Sequence, residues 1–130
     1  MPKKKEKRRP PRSGDAFLDT LFFIMIDALE KHVRAIYAKK QLRDPDTNAA
    51  LSGLLMCEDD EIYLKKQSRK DRNQMVSALV HEVLHFIMPR TFEEKIERME
   101  RILMTRLTDE QKKYLRGFLP KHVVKKNPSV

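Results

Sequence analysis

Residues 78–88 read Ala-Leu-Val-His-Glu-Val-Leu-His-Phe-Ile-Met, with His81 and His85 four apart and Glu82 beside the first. On an α-helix residues four apart share a face, so both imidazoles can reach one ion. Glu82 is turned by about 100° from His81. Its carboxylate then stands beside such an ion, where a general base for a water nucleophile belongs. Val80, Val83, Leu84 and Ile87 form one apolar face, extended by Leu79 and Phe86. The polar sector that remains carries His81, Glu82 and His85. Three ionisable groups on an otherwise apolar helix are costly unless a charge compensates them, and a divalent cation does so. The competing reading satisfies the histidines with core hydrogen bonds and pairs Glu82 with a lysine. The imidazole pair suits Zn2+, and the pattern predicts a zinc-dependent hydrolase.

Outward from the motif, Ser68 opens this helix with Asp71 as its capping-box partner, and Pro89 stops it after Met88. Thr91 with Glu94 opens a further helix over 92–107. Thr108 with Gln111 opens a last short one that ends near Pro120. On the N-terminal side, residues 61–67 and 51–57 read as two short strands joined across Glu58-Asp59-Asp60, a hairpin. The later strand leads into the motif helix. At a sheet edge beside the metal, its backbone would align an extended peptide. Residues 41–50 hold Asp44-Pro45-Asp46 and Asn48 and read as a loop. Before them a core helix is expected from about Ala16 to Lys40, capped by Asp15 or Ser13. Phe17, Leu21, Ile24, Ala28, Leu29, Val33 and Ile36 recur along it at helical spacing. Its run Leu21–Ile26 is far below the roughly 20 apolar residues of a membrane span. Asp19 and Asp27 bracket the run and no cleavage site follows, which argues against a signal peptide. His32 is assigned to the surface, and Cys57 and Tyr63 to packing. The expected fold class is α+β: N-terminal helix, short β-hairpin, motif helix, glutamate-bearing helix and short C-terminal helix.

A catalytic zinc needs a third protein ligand and one open position. Met88 and Thr91 stand where a metzincin has its glycine and third histidine, which excludes that pattern. His122 lies in a basic terminal stretch, a poor place for a precise ligand. The helix over 92–107 offers Glu93, Glu94, Glu97 and Glu100 instead, beside an apolar stripe of Phe92, Ile96, Met99 and Leu103. Glu94 points away and is assigned to the cap, and Glu97 lies further out. Glu93 and Glu100 border the stripe and are the geometric candidates, each with a surface ion pair as its alternative.

The 130 residues support one domain, charge-rich at 36% and with 40% apolar residues for a modest core. One cysteine excludes both a disulfide framework and a cysteine-rich zinc site, and suits a reducing, cytoplasmic setting. The net charge of +9 is concentrated at the ends: +6 falls in residues 1–12 and +3 in 121–130, leaving 13–120 neutral. Residues 1–12 are expected to be a disordered basic tail, 13–120 the domain, and 121–130 a second basic tail. Such tails suit nonspecific contacts with nucleic acid. The body offers no comparable groove.

The run from Ile62 through Leu103 (a strand, a basic linker, HEVLH, a short turn, then FEEKIERMERIL) resembles the small zincin metallopeptidases of the ImmA/IrrE type, found in phages and other mobile elements. The resemblance implies a minimal zincin-like domain. It also implies hydrolysis of peptide bonds in a protein or peptide substrate, with Zn2+ on His81, His85 and Glu93 and with Glu82 as the base. The runner-up is a non-enzymatic adaptor or nucleic-acid-associated protein working through its basic tails.

Overall fold

The computed structural model describes residues 9–120 together with His122 and Val123. The elements are α1 (Ala16–Lys31), β1 (Ala35–Lys39), β2 (Gly53–Met56), β3 (Glu61–Lys65), α2 (Arg72–Ile87), α3 (Glu93–Arg106) and α4 (Asp109–Arg116). The fold class is α+β.

The motif helix α2 lies at the centre, packed against α1, α3, α4, β2 and β3. Val76, Leu79, Val80, Val83 and Leu84 are wholly buried on it, and meet Phe22 and Met25 from α1, Ile96 from α3 and Leu115 from α4. Burying a side chain of this size contributes about 1.5–3 kcal/mol. That force holds three helices and a sheet against one axis.

The helix expected over 16–40 is instead two elements. α1 stops at His32, where the N–H groups of His32 and Val33 both donate to the Ala28 carbonyl. Residues 35–39 then run extended, parallel to β3, with Ala35 opposite Glu61 and Lys39 opposite Lys65. Val33, Ile36 and Tyr37 suit a pleated surface as well as a helix. The deciding partner is a strand far along the chain, which helical spacing cannot reveal. The Arg34 guanidinium also donates to Glu61 Oε2 at 2.9 Å. This fixes the start of both strands.

β2 and β3 form the expected antiparallel hairpin, from Gly53 opposite Leu64 to Met56 opposite Glu61. The sheet order is β1-β3-β2, so β3 is the central strand and lacks the edge position that would let it align a peptide. The edge beside α2 is β2. On the other side, Val123 makes an isolated parallel bridge to Ala38 of β1.

The buried face of α1 also differs from expectation. Leu18, Phe22, Met25, Ile26 and Leu29 point inward, while Phe17 is 85% exposed and Ile24 48%. In Leu21–Ile26 every position is apolar, so the pattern carries no phase. Asp15 is the cap, its carboxylate accepting from the N–H groups of Phe17 and Leu18. Ser13 donates to Asp19.

Of the three expected capping boxes, Thr108 with Gln111 forms in full. Thr91 with Glu94 does not. α3 begins at Glu93 with Phe92 in the cap position and no side-chain cap bond. Phe92 is therefore 79% exposed rather than part of the apolar stripe. Ser68 donates to the Asp71 side chain rather than capping the backbone, and a 3₁₀ turn over Arg69–Asp71 precedes α2.

Most of both basic tails, residues 1–8, 121 and 124–130, lies outside the described residues. Pro11 and Arg12, expected in the first tail, belong to the body. Pro11 O accepts from Gln111 Nε2 at 3.2 Å, and the Arg12 guanidinium lies 5.4 Å from the Phe23 ring centre. Among the described residues no helix is long and apolar enough to cross a membrane.

Gln111 joins three segments. Its amide oxygen accepts from Thr108 N–H, and its nitrogen donates both to Pro11 O and to Asp19 Oδ1 at 2.9 Å. Replacing it with Ala should cost about 1–3 kcal/mol, read from urea unfolding. It should also speed tryptic cleavage after Arg12. Unchanged cleavage would show that the strap is not held by this residue.

Candidate metal centre

α2, the first two turns of α3 and the edge strand β2 enclose a cleft of roughly 760 Å³. Ser52, Gly53 and Leu54 line one wall, His81, Glu82 and His85 the floor, and Glu93, Glu97 and Glu100 the other wall. The helical period puts His81 and His85 on one face of α2, as the sequence required.

Their imidazoles converge. His81 Nε2 and His85 Nε2 are 3.2 Å apart. The Glu93 carboxylate spans them, with Oε1 2.7 Å from His81 Nε2 and Oε2 2.6 Å from His85 Nε2. Ligand atoms from these three residues all lie within 4.8 Å of one another. Two nitrogens bound tetrahedrally to one zinc sit about 3.3 Å apart, so the histidine pair is already spaced for it. Two imidazole nitrogens and a carboxylate oxygen that open onto a cleft are a fitting donor set for Zn2+. Glu93 is 56% exposed at its side chain and has room to adjust.

Glu100 does something else. Its Oε1 is 2.6 Å from His81 Nδ1, the ring nitrogen facing away from the convergence, and its Oε2 accepts from Ser77 Oγ. A carboxylate there favours a proton on Nδ1, which would leave the Nε2 lone pair to face an ion bound between the histidines. Glu97 lines the cleft further out and is exposed, and Glu94 is exposed without capping α3. His32 and His122 are exposed.

Glu82 is 7% exposed and accepts a hydrogen bond from the Leu55 backbone N–H. Burial, reinforced by Glu93 and Glu100, pushes its pKa up to about 7, against the opposing pull of His81 and of the Leu55 N–H. Burial pulls the His81 pKa down, but the hydrogen bond to Glu100 and the charges of Glu82, Glu93 and Glu100 outweigh it, leaving a net rise.

Helical spacing leaves Glu93 and Glu100 both open as ligands, and the family resemblance alone singles out Glu93, with no role for Glu100. Separating their roles needs the register of α3 against α2, which no local pattern carries. Ser77, one turn before His81, was the available signal for the Glu100 contact. The approach of β2 to Glu82 had none. No family model, curated protein or solved structure matches the chain.

Both shifts have the same linkage sign in the metal-free protein. A carboxyl raised from an ordinary 4.5 to about 7 opposes folding increasingly as pH rises between those values. The His81 contribution is full below its ordinary 6.5 and fades as pH climbs through the raised value. Stability in chelator should therefore fall between about pH 5 and pH 8, with Glu82 responsible for roughly 2–4 kcal/mol. Denaturant midpoints across that range should flatten markedly in Glu82→Gln. An unchanged slope in that variant would contradict the assignment.

Proposed function

We propose that this chain is a zinc-dependent metallopeptidase of the small zincin kind, hydrolysing peptide bonds in a protein or peptide substrate. The observation that carries the reading is the convergence of His81 Nε2, His85 Nε2 and the Glu93 carboxylate at one point, with the Glu82 carboxylate beside it in an open cleft. His81, His85 and Glu93 would hold Zn2+. When bound, the ion supplies Lewis acidity, polarising the scissile carbonyl and making a water nucleophilic near neutral pH.

The chain's own groups do the rest. Glu82 takes the proton from the attacking water and returns it to the leaving amine. Glu100, itself held by Ser77, keeps His81 in the tautomer that presents Nε2. The cleft they line, roughly 760 Å³, is the space proposed for the peptide. The exposed free thiol of Cys57 suits a reducing compartment, and the cytoplasm is the location proposed.

The charge concentrated in residues 1–12 and 121–130 favours a second reading, a nucleic-acid-associated or adaptor protein without enzymatic activity. That reading requires salt-sensitive DNA or RNA binding that is lost on trimming both ends, and no stoichiometric metal.

Elemental analysis of protein purified without added metal should find one zinc per chain. Glu82→Gln should keep that zinc and lose turnover by about 10²–10⁴-fold. Glu93→Ala should release the metal, whereas Glu100→Gln should weaken it by roughly 10–100-fold, measured by competition with a chelating dye. Absence of zinc, or full activity in Glu82→Gln, overturns the reading.

A further inference from the structure

Gly53 lies on the outer edge of β2, directly against Glu82. In the β2–β3 ladder Lys65 N–H donates to Ser52 O at 2.9 Å. Antiparallel pairs alternate, so Gly53 and Leu55, at odd positions, turn their backbone groups away from β3 and toward α2. The Leu55 N–H uses that direction to reach the Glu82 carboxylate. Two residues earlier, a Cβ built on Gly53 would lie 3.0 Å from Glu82 Oε2, 3.1 Å from Cγ and 3.3 Å from Cδ. Among the described glycines only Gly14 has a positive φ, so backbone conformation does not require glycine at 53. Space does.

We propose that Gly53 and the Leu55 N–H form a seat for the Glu82 carboxylate, with Gly53 as a positioning residue for the general base. The inference rests on the peptidase reading for its catalytic meaning, while the seat itself rests on contacts alone. Glu82 is enclosed by β2, α2 and α3. A methyl group at 53 therefore presses on its carboxylate, which must shift by a few tenths of an ångström against the Leu55 N–H. The three atoms nearest such a methyl group all belong to Glu82, so the first effect falls on the base.

The test uses the full chain loaded with zinc. Gly53→Ala should retain one zinc per chain and an unchanged KM on fluorescently labelled casein, with kcat down by on the order of ten-fold or more. Backbone exchange supplies a second readout in the natural Gly53 background. The Leu55 amide should exchange faster in Glu82→Ala but not in Glu82→Gln, which keeps an acceptor oxygen. This measurement decides the matter even where Gly53→Ala folds poorly. The cost of Gly53→Ala to stability should also disappear when Glu82→Ala is already present, a non-additive cycle. Additive effects, or Leu55 exchange indifferent to Glu82→Ala, overturn the seat while leaving wild-type turnover untouched. A coupled cycle in a protein that never cleaves casein or any peptide of a mixed library overturns the peptidase reading and the positioning role with it.

Discussion

A carboxylate enclosed among helices and strand, one residue from an imidazole, needs compensation that hydrocarbon cannot provide. Around Glu82 it arrives from separate directions: the Leu55 N–H from the sheet edge and the His81 ring from its own helix. Glu93 and Glu100 work against it, since each adds negative charge to the same small volume. Such a cluster persists because every member is tied to another. Among the described residues no buried side-chain nitrogen or oxygen lacks a hydrogen-bond partner. The arrangement is thus a connected polar network set into one side of an apolar core, and a network of that kind is rigid only while it is complete.

The rest of the fold explains how so small a chain holds that network in register. α2 touches every other layer, so the two imidazoles and Glu82 sit on the best-supported backbone in the molecule. α3 is fixed against it by Ile96 and Leu103, both almost fully buried on the stripe that Glu93 and Glu100 border. The contribution of β2 is different. It offers backbone rather than side chains, and its hairpin partner β3 is itself pinned between β2 and β1. The parallel pairing of β1 with β3 thereby bears on the cleft at one remove.

How much of this a reader of the sequence could see follows from the range of each signal. The motif helix and the adjacency of His81, Glu82 and His85 are local facts, written in five residues and their flanks. The hairpin and the box at Thr108 and Gln111 are local too, and both formed as expected. The other elements fail where the information is distant or degenerate. Val33 and Ile36 continue a helical rhythm, and only pairing with the far-off β3 shows that the helix has ended and that Ile36 lies in a strand. Leu21–Ile26 has no polar residue to mark an outside, so spacing alone puts Ile24 on the wrong face, and Phe17, one turn earlier, inherits the same phase. Thr91 and Glu94 had the spacing of a capping pair, but α3 starts too late for Thr91 to serve it. Within the site, helical spacing leaves Glu93 and Glu100 both open, and only the resemblance singles out Glu93. Their division, one across the inner imidazole nitrogens and one behind His81, is a property of helix packing.

The bridge between Ala38 and Val123 has a practical side. It lies on the outer flank of β1, with β3 and then β2 between it and the cleft. Val123 thus lies on the flank of the sheet away from the cleft, and it is 46% exposed. A fluorophore or immobilising linker attached at position 123 itself would leave the approach to the cleft uncrowded.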